Sequence, residues 1–333
     1  MSVGPLLAVA LLACVVVAIS AFGAALRGAA RRPRVLCLMY HRVVPRSVWE
    51  KLRGTERIFS MPSDAFEAQI RWLQAHGWTF SDSRAVAAYA RGSLDLPDRS
   101  VLLTVDDGCA SVHAQILPVL RREAARAVAF VTTDPGSAIF RESGEGERRV
   151  SDDEIRQLLA GGVEIGSHAV SHRPLSAMPD EEIRRELGES KQVLERVTGR
   201  PVVQFAVPAN WYDDRVLRIA REVGYEAVYC SRPGTVERGA GAFGIPRLNV
   251  EGHLDLAGFE RMLSPVRIAQ RRLVMAVRGW PKRLVGPRAW TVVRERLFPY
   301  VGGHWLSPSR MGTALALVVA ACLLATLCWL VGG

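Results

Sequence analysis

Between residues 35 and 255, short apolar runs alternate six or seven times with segments of helical periodicity, and the connections are brief. Residues 35–40 (VLCLMY), 100–105 (SVLLTV), 126–133 (RAVAFVTT), 162–167 (GVEIGS) and 227–230 (AVYC) have the length and β-branched content of buried strands. Residues 63–76 carry Phe66, Ile70 and Leu73 on one helical face, with Ser63 or Asp64 as cap and Gly77 as stop. Residues 111–124 read as a further helix. Ser151 followed by Glu154 has the spacing of a capping box, and 180–199 is the longest helical segment, ended by Gly199. Such alternation predicts an α/β fold with a parallel sheet, open or closed into a barrel. The polar, Gly-rich stretch 134–149 predicts a surface excursion, either plain loop or substrate lid.

The remainder of the 333 residues is organised differently. Residues 3–26 and 311–331 contain no charged side chain, and each is long enough to cross a bilayer as a helix. No Lys or Arg precedes the first stretch, so an uncleaved anchor is favoured over a cleaved signal peptide, which the small residues Ala21, Gly23 and Ala24 would otherwise permit. The net charge of +10 is concentrated beside these stretches: Arg27, Arg31, Arg32 and Arg34 follow the first, and residues 265–310 hold ten Lys/Arg against Glu295 alone. Basicity placed there predicts attraction to anionic lipid head groups rather than to nucleic acid. Segments of 264–310 with one apolar and one basic face read as interfacial helices. Because the flanking positive charges lie between the two stretches, the positive-inside rule predicts a cytoplasmic body at the inner membrane, with an exported body as the alternative. Six cysteines at scattered spacing, three of them inside the uncharged stretches, suggest no disulfide framework.

The chemistry sits at predicted strand ends. Asp106 and Asp107 close the run 100–105, and His168 and His172 follow the run 162–167. Three ligands with a spare carboxylate suit a catalytic divalent metal site, zinc being the expected ion. Alone, Asp106-Asp107-Gly108 reads as a helix-capping turn; the two motifs together, each at a strand end, favour the metal.

These residues also carry a resemblance. "TVDDG" and "HAVSH", with "VLCLMYHRVVP" upstream and "VPANWYDDRVLRIAREVGY" and "IPRLNV" downstream, resemble the polysaccharide deacetylases (NodB-homology, or carbohydrate esterase family 4), nearest the branch acting on poly-N-acetylglucosamine. The resemblance covers roughly residues 35–255. It implies a distorted (β/α) barrel that removes N-acetyl groups from amino sugars, with Asp106 as general base and Asp107, His168 and His172 as metal ligands. His253 is the general-acid candidate and His41 its alternative, near the sugar. Arg247 is expected either to pair with Asp106 or to make a surface ion pair. Three positions depart from the family pattern. Ala169 stands where Ser or Thr is usual, Cys109 where an aromatic residue follows the aspartates, and "AVPANWYD" lacks the usual arginine while keeping Pro208. Trp211 and Tyr212 then either wall the sugar or pack beneath a loop.

The organisation expected is therefore a membrane helix or signal anchor at 3–26, a catalytic domain at 35–263, a basic interfacial region at 264–310 and a membrane helix at 311–331. The expected substrate is a polysaccharide or a lipid-linked amino sugar. A non-catalytic carbohydrate-binding or assembly factor is the rival reading. The sequence leaves the oligomeric state open.

Overall fold

The computed structural model describes residues 34–142, 147–272 and 275. Pro33–Ile268 form one compact unit. Its strands are β1 (Val35–Tyr40), β2 (Arg42–Val44), β3 (Ser60–Pro62), β4 (Thr79–Phe80), β5 (Ser100–Val105), β6 (Ala127–Val131), β7 (Glu164–Ser167), β8 (Gln204–Ala206), β9 (Ala227–Cys230), β10 (Phe243–Pro246) and β11 (Leu248–Asn249). All pairings between them are parallel. They follow the order β10-β9-β8-β7-β6-β5-β1-β11, with β4 beside β5 and a separate β2–β3 pair. The two edge strands, β10 and β11, are separated in sequence by Arg247 alone, so the chain itself joins the sheet's ends and the sheet is a nearly closed barrel.

Burial on both faces explains the continuous apolar runs: every residue of β1, β5, β6 and β9 is buried. The helices Ser63–Ala75 (α1), Leu117–Arg122 (α2), Asp152–Ala160 (α3), Asp180–Thr198 (α4) and Asp214–Glu222 (α5) lie between the strands in the chain. Two of their ends follow the reading of the sequence: Ser151 and Glu154 form both hydrogen bonds of the capping box, and Gly199 ends α4 in the left-handed region at φ 65°. The Asp213 side chain caps α5.

Two helices differ from it. Neither Ser63 nor Asp64 caps α1; Pro62 occupies the cap position and no side chain bonds there. The helix expected over 111–124 opens instead as a π-turn, Val112–Ile116, before α2. Pro118 has no N–H to return to the preceding turn, and the helix start shifts to accommodate it.

Among the described residues no helix is long and apolar enough to cross a membrane. The stretches 3–26 and 311–331, and most of the basic region 264–310, lie outside the described residues. The described start of that region, 265–272, is helical.

Candidate metal centre

Parallel strands bring their C-terminal ends to one pole, and there the predicted residues converge. The backbone N–H of Asp106, just past β5, donates to the Tyr40 carbonyl at the end of β1 (2.9 Å), and that of His168, just past β7, to the Val131 carbonyl at the end of β6 (2.9 Å). Asp107 takes φ 74° and His172 φ 62°, left-handed values that Asp and His tolerate better than most residues and that cost of order 1–3 kcal/mol each. Gly108, at φ 77°, leaves no room for a side chain, since a Cβ would stand 2.8 Å from Val131. This turn aims both carboxylates at the histidines.

Asp107 Oδ1 lies 3.6 Å from His168 Nε2 and 3.4 Å from His172 Nε2. One donor atom from each of the three residues lies within 4.8 Å of the others. The His168 Nδ1–H donates to the Ala206 carbonyl at the end of β8 (2.8 Å), which leaves Nε2 with a lone pair facing Asp107. Burial pushes the His168 pKa down to about 3, so the ring is neutral, as a ligand must be. Burial, reinforced by the charge of Asp106, raises the Asp107 carboxyl to about 6. One buried neutral imidazole and one half-buried imidazole, converging on a carboxylate whose ionisation is penalised, make a donor set that a divalent cation fits. The cation would supply the charge the carboxylate lacks.

Asp106 is held differently. Both its oxygens accept from the Arg247 guanidinium, at 2.6 and 2.7 Å, and Arg247 is fully buried between β10 and β11. Arg247 also donates to Thr104 Oγ1 (3.0 Å), whose hydroxyl donates to the Leu38 carbonyl (3.0 Å). Burial alone would raise the Asp106 pKa; Arg247 outweighs it and holds the carboxyl at about 2. Neighbouring aspartates are thus driven apart, one fixed as an anion and the other left needing a partner. Of the two outcomes expected for Arg247, the buried pair is the one formed.

The other predicted residues fall into two groups. His41, just past β1, packs its ring on Phe59 (4.8 Å), and its buried Nδ1 has no hydrogen-bond partner among the described residues. It lies near enough to favour the ionised forms of both Asp106 and Asp107. Pro208 is buried just past β8, and the loop it opens is strained, with Ala209 at φ 50° and Asn210 at φ 59°. Trp211 is 43% exposed, whereas Tyr212 packs partly against the core. His253 is not drawn into the carboxylate–histidine group; its exposed ring lies 3.5 Å from Glu251.

Two supports went unread in the sequence. Buried Glu186 on α4 accepts from the backbone N–H of Val170 (3.0 Å) and Ser171 (2.9 Å) and from the Ser171 hydroxyl (2.6 Å). Ala169 N–H donates to Ser167 Oγ (3.2 Å). The loop between His168 and His172 is therefore braced although Ala169 has no hydroxyl. Glu147, at the end of the 134–149 excursion, makes a buried ion pair with Arg42 (2.5 Å), and Cys109 bridges to Arg149 beside the aspartate turn. A Glu inside an amphipathic helix and another in a polar loop carry no signal that separates them from solvated residues.

The family model for polysaccharide deacetylases matches residues 93–228, a span that holds Asp106, Asp107, His168 and His172. The chain carries a polysaccharide deacetylase domain. Over 230 residues this chain is 22% identical to YxkH of Bacillus subtilis, a protein whose name places it among the polysaccharide deacetylases; the match covers 69% of this chain and 76% of that protein. It is 21% identical over 199 residues to the poly-β-1,6-N-acetyl-D-glucosamine N-deacetylase of Staphylococcus aureus, covering 57% of this chain and 67% of the relative. Among solved structures, IcaB from Ammonifex degensii superposes with a TM-score of 0.59 at 21% identity, over 71% of this chain and 98% of IcaB. That likeness identifies the nearly closed barrel of the polysaccharide deacetylase domain as the NodB type.

Proposed function

We propose that this protein is a membrane-anchored, metal-dependent hydrolase that removes N-acetyl or other N-acyl groups from amino sugars of a polysaccharide or lipid-linked glycan. The observation that carries the reading is the convergence of Asp107, His168 and His172 donor atoms within 4.8 Å, beside an Asp106 clamped by Arg247. A divalent metal held by those three residues, zinc being the expected ion, would lower the pKa of a water molecule and polarise an amide carbonyl. Asp106 keeps lone pairs beyond those engaged by Arg247 and accepts the proton from the attacking water. The Arg247 clamp fixes the carboxylate's direction and keeps it ionised throughout the neutral range. Water adds to the amide carbonyl, the C–N bond breaks, and the products are a carboxylate and a free amine.

The departing amine needs a proton. His41 is better placed to give it than His253, because it sits at the pole of the aspartates with a buried, unpartnered nitrogen. Trp211, exposed beside the β8 end, supplies a face for the sugar. The uncharged stretches 3–26 and 311–331 would supply the anchoring, and the basic residues between them support a body on the cytoplasmic side of the inner membrane.

Acetate release from an N-acetylglucosamine oligomer by the metal-replete full chain tests the reading. Asp106→Asn is expected to lower kcat by roughly 10²–10⁴-fold with metal content unchanged. Unaltered turnover in that variant overturns the assignment, and glycan binding without any turnover in the parent favours the non-catalytic reading. His41→Gln is expected to reduce kcat more than His253→Gln; the reverse order assigns the acid to His253.

A further inference from the structure

The pole opposite the metal cluster has a chemistry of its own. Arg34 immediately precedes β1, Trp78 precedes β4 and Arg99 precedes β5. With Trp72, Arg261 and Arg267 they line a cavity of about 470 Å³. The Arg34 guanidinium lies 5.5 Å over the Trp78 ring and 3.8 Å from Asp98, and Arg99 donates to the His76 carbonyl at 2.7 Å. Arg99, Arg261 and Arg267 are exposed. Four guanidinium groups thus face Glu260 in the lining and Asp98 beside it, leaving the pole cationic.

Planar guanidinium groups suit phosphate oxygens. The chain supplies the matching context. The compact domain runs from Pro33 to Ile268, so both its ends leave beside this cavity. In the sequence, Arg27, Arg31, Arg32 and the uncharged stretch 3–26 precede one end. The remaining nine Lys/Arg of 265–310 and the uncharged stretch 311–331 follow the other.

We propose that this basal pole docks on the phosphate head groups of an anionic bilayer, so that the metal cluster faces away from the membrane. The inference rests on the anchoring part of the function proposed above and gives it an orientation. Arg99 precedes and Asp106 follows the same strand, seven residues on, so the two poles stand about 20 Å apart at ~3.3 Å per residue. A site held at that height reaches amino sugars along a glycan chain and stands clear of a sugar joined directly to a lipid phosphate at the surface.

Hydrogen exchange of the metal-replete full chain, in nanodiscs of phosphatidylcholine with and without phosphatidylglycerol, tests this. Anionic lipid is expected to slow exchange of residues 72–79, 97–100 and 260–268 by about fivefold for each arginine engaged, and to leave 168–173 and 209–213 unchanged. Arg99→Gln/Arg261→Gln is expected to reduce that slowing by about 25-fold, fivefold for each arginine removed, while acetate release persists. No basal protection, or protection at 168–173 and 209–213 instead, overturns the docking. Extraction by alkaline carbonate is read in parallel. Carbonate-resistant association without basal protection refutes the docking and keeps the anchor, whereas release by carbonate refutes the anchor itself.

Discussion

Arg247 grips one carboxylate in a fork and Arg218 bridges two, and the surroundings make them different objects. Arg247 meets Asp106 with neither side chain more than 3% exposed. Arg218 joins Asp180 on α4 to Glu222 on α5 at 2.8 and 2.7 Å, with all three side chains about two-fifths or more exposed. Water and salt screen the second arrangement, and each of its members is solvated without the others. The first replaces water altogether: without Arg247 the Asp106 charge is buried with little to compensate it, and without Asp106 the guanidinium is. A surface network trims the packing of two helices. The buried pair ties the end of β5 to the β10–β11 junction at the barrel mouth.

That contrast is breakable. Arg247→Ala is expected to cost about 3–5 kcal/mol in denaturant unfolding, the usual penalty for stripping one partner from a buried ion pair. The double variant Asp106→Leu/Arg247→Met is expected to regain most of that stability without regaining acetate release. If the double variant unfolds as readily as Arg247→Ala, the loss is one of shape and not of charge.

Glu186 tests whether a brace matters as much as the histidines it serves. Glu186→Gln keeps the size but weakens the bonds to Val170 and Ser171, and a drop of roughly 10–100-fold in metal affinity is expected by competition with a chromogenic chelator. Unchanged affinity makes the loop self-supporting.

A smaller effect follows from the opposite shifts of the two aspartates. In the metal-free protein Asp107 is protonated below about pH 6 and Asp106 is not. Metal binding must therefore expel the Asp107 proton below pH 6, with affinity falling about tenfold for each further unit of acidification, while Asp107 releases none well above pH 6. His168, held near 3, releases none in that window. Calorimetry in buffers of different ionisation enthalpy reads the proton count, and equal release at pH 5 and pH 8 would remove the asymmetry. The same raised pKa makes ionising Asp107 cost stability: its contribution is full below about 4 and is lost as pH rises through 6, so chelator-treated protein should gain more from added metal at pH 7 than at pH 5. Least affected should be Arg218→Ala, whose unfolding midpoint is expected to stay within error of the parent, more closely still at high salt.

The strand–helix alternation, the capping box at Ser151 and the two motifs at strand ends were all legible along the chain. Each is local, or rests on a periodicity that burial imposes on neighbouring residues. The pairing of Arg247 with Asp106 joins positions 141 residues apart, and as a spacing it is silent. Only closure of the barrel through the single residue between β10 and β11 turns that arginine inward. The Glu186 brace and the Arg42–Glu147 pair belong to the same class, since a carboxylate's role depends on what the fold removes water from. His253 had the chemistry of a general acid, and the fold left it in solvent beside Glu251, while His41 gained a buried nitrogen. The residue types, their order and their strand-end positions settled which chemistry this protein carries. Tertiary structure alone decided which charges lie out of water, and desolvation, not residue identity, separates a structural carboxylate from a reactive one.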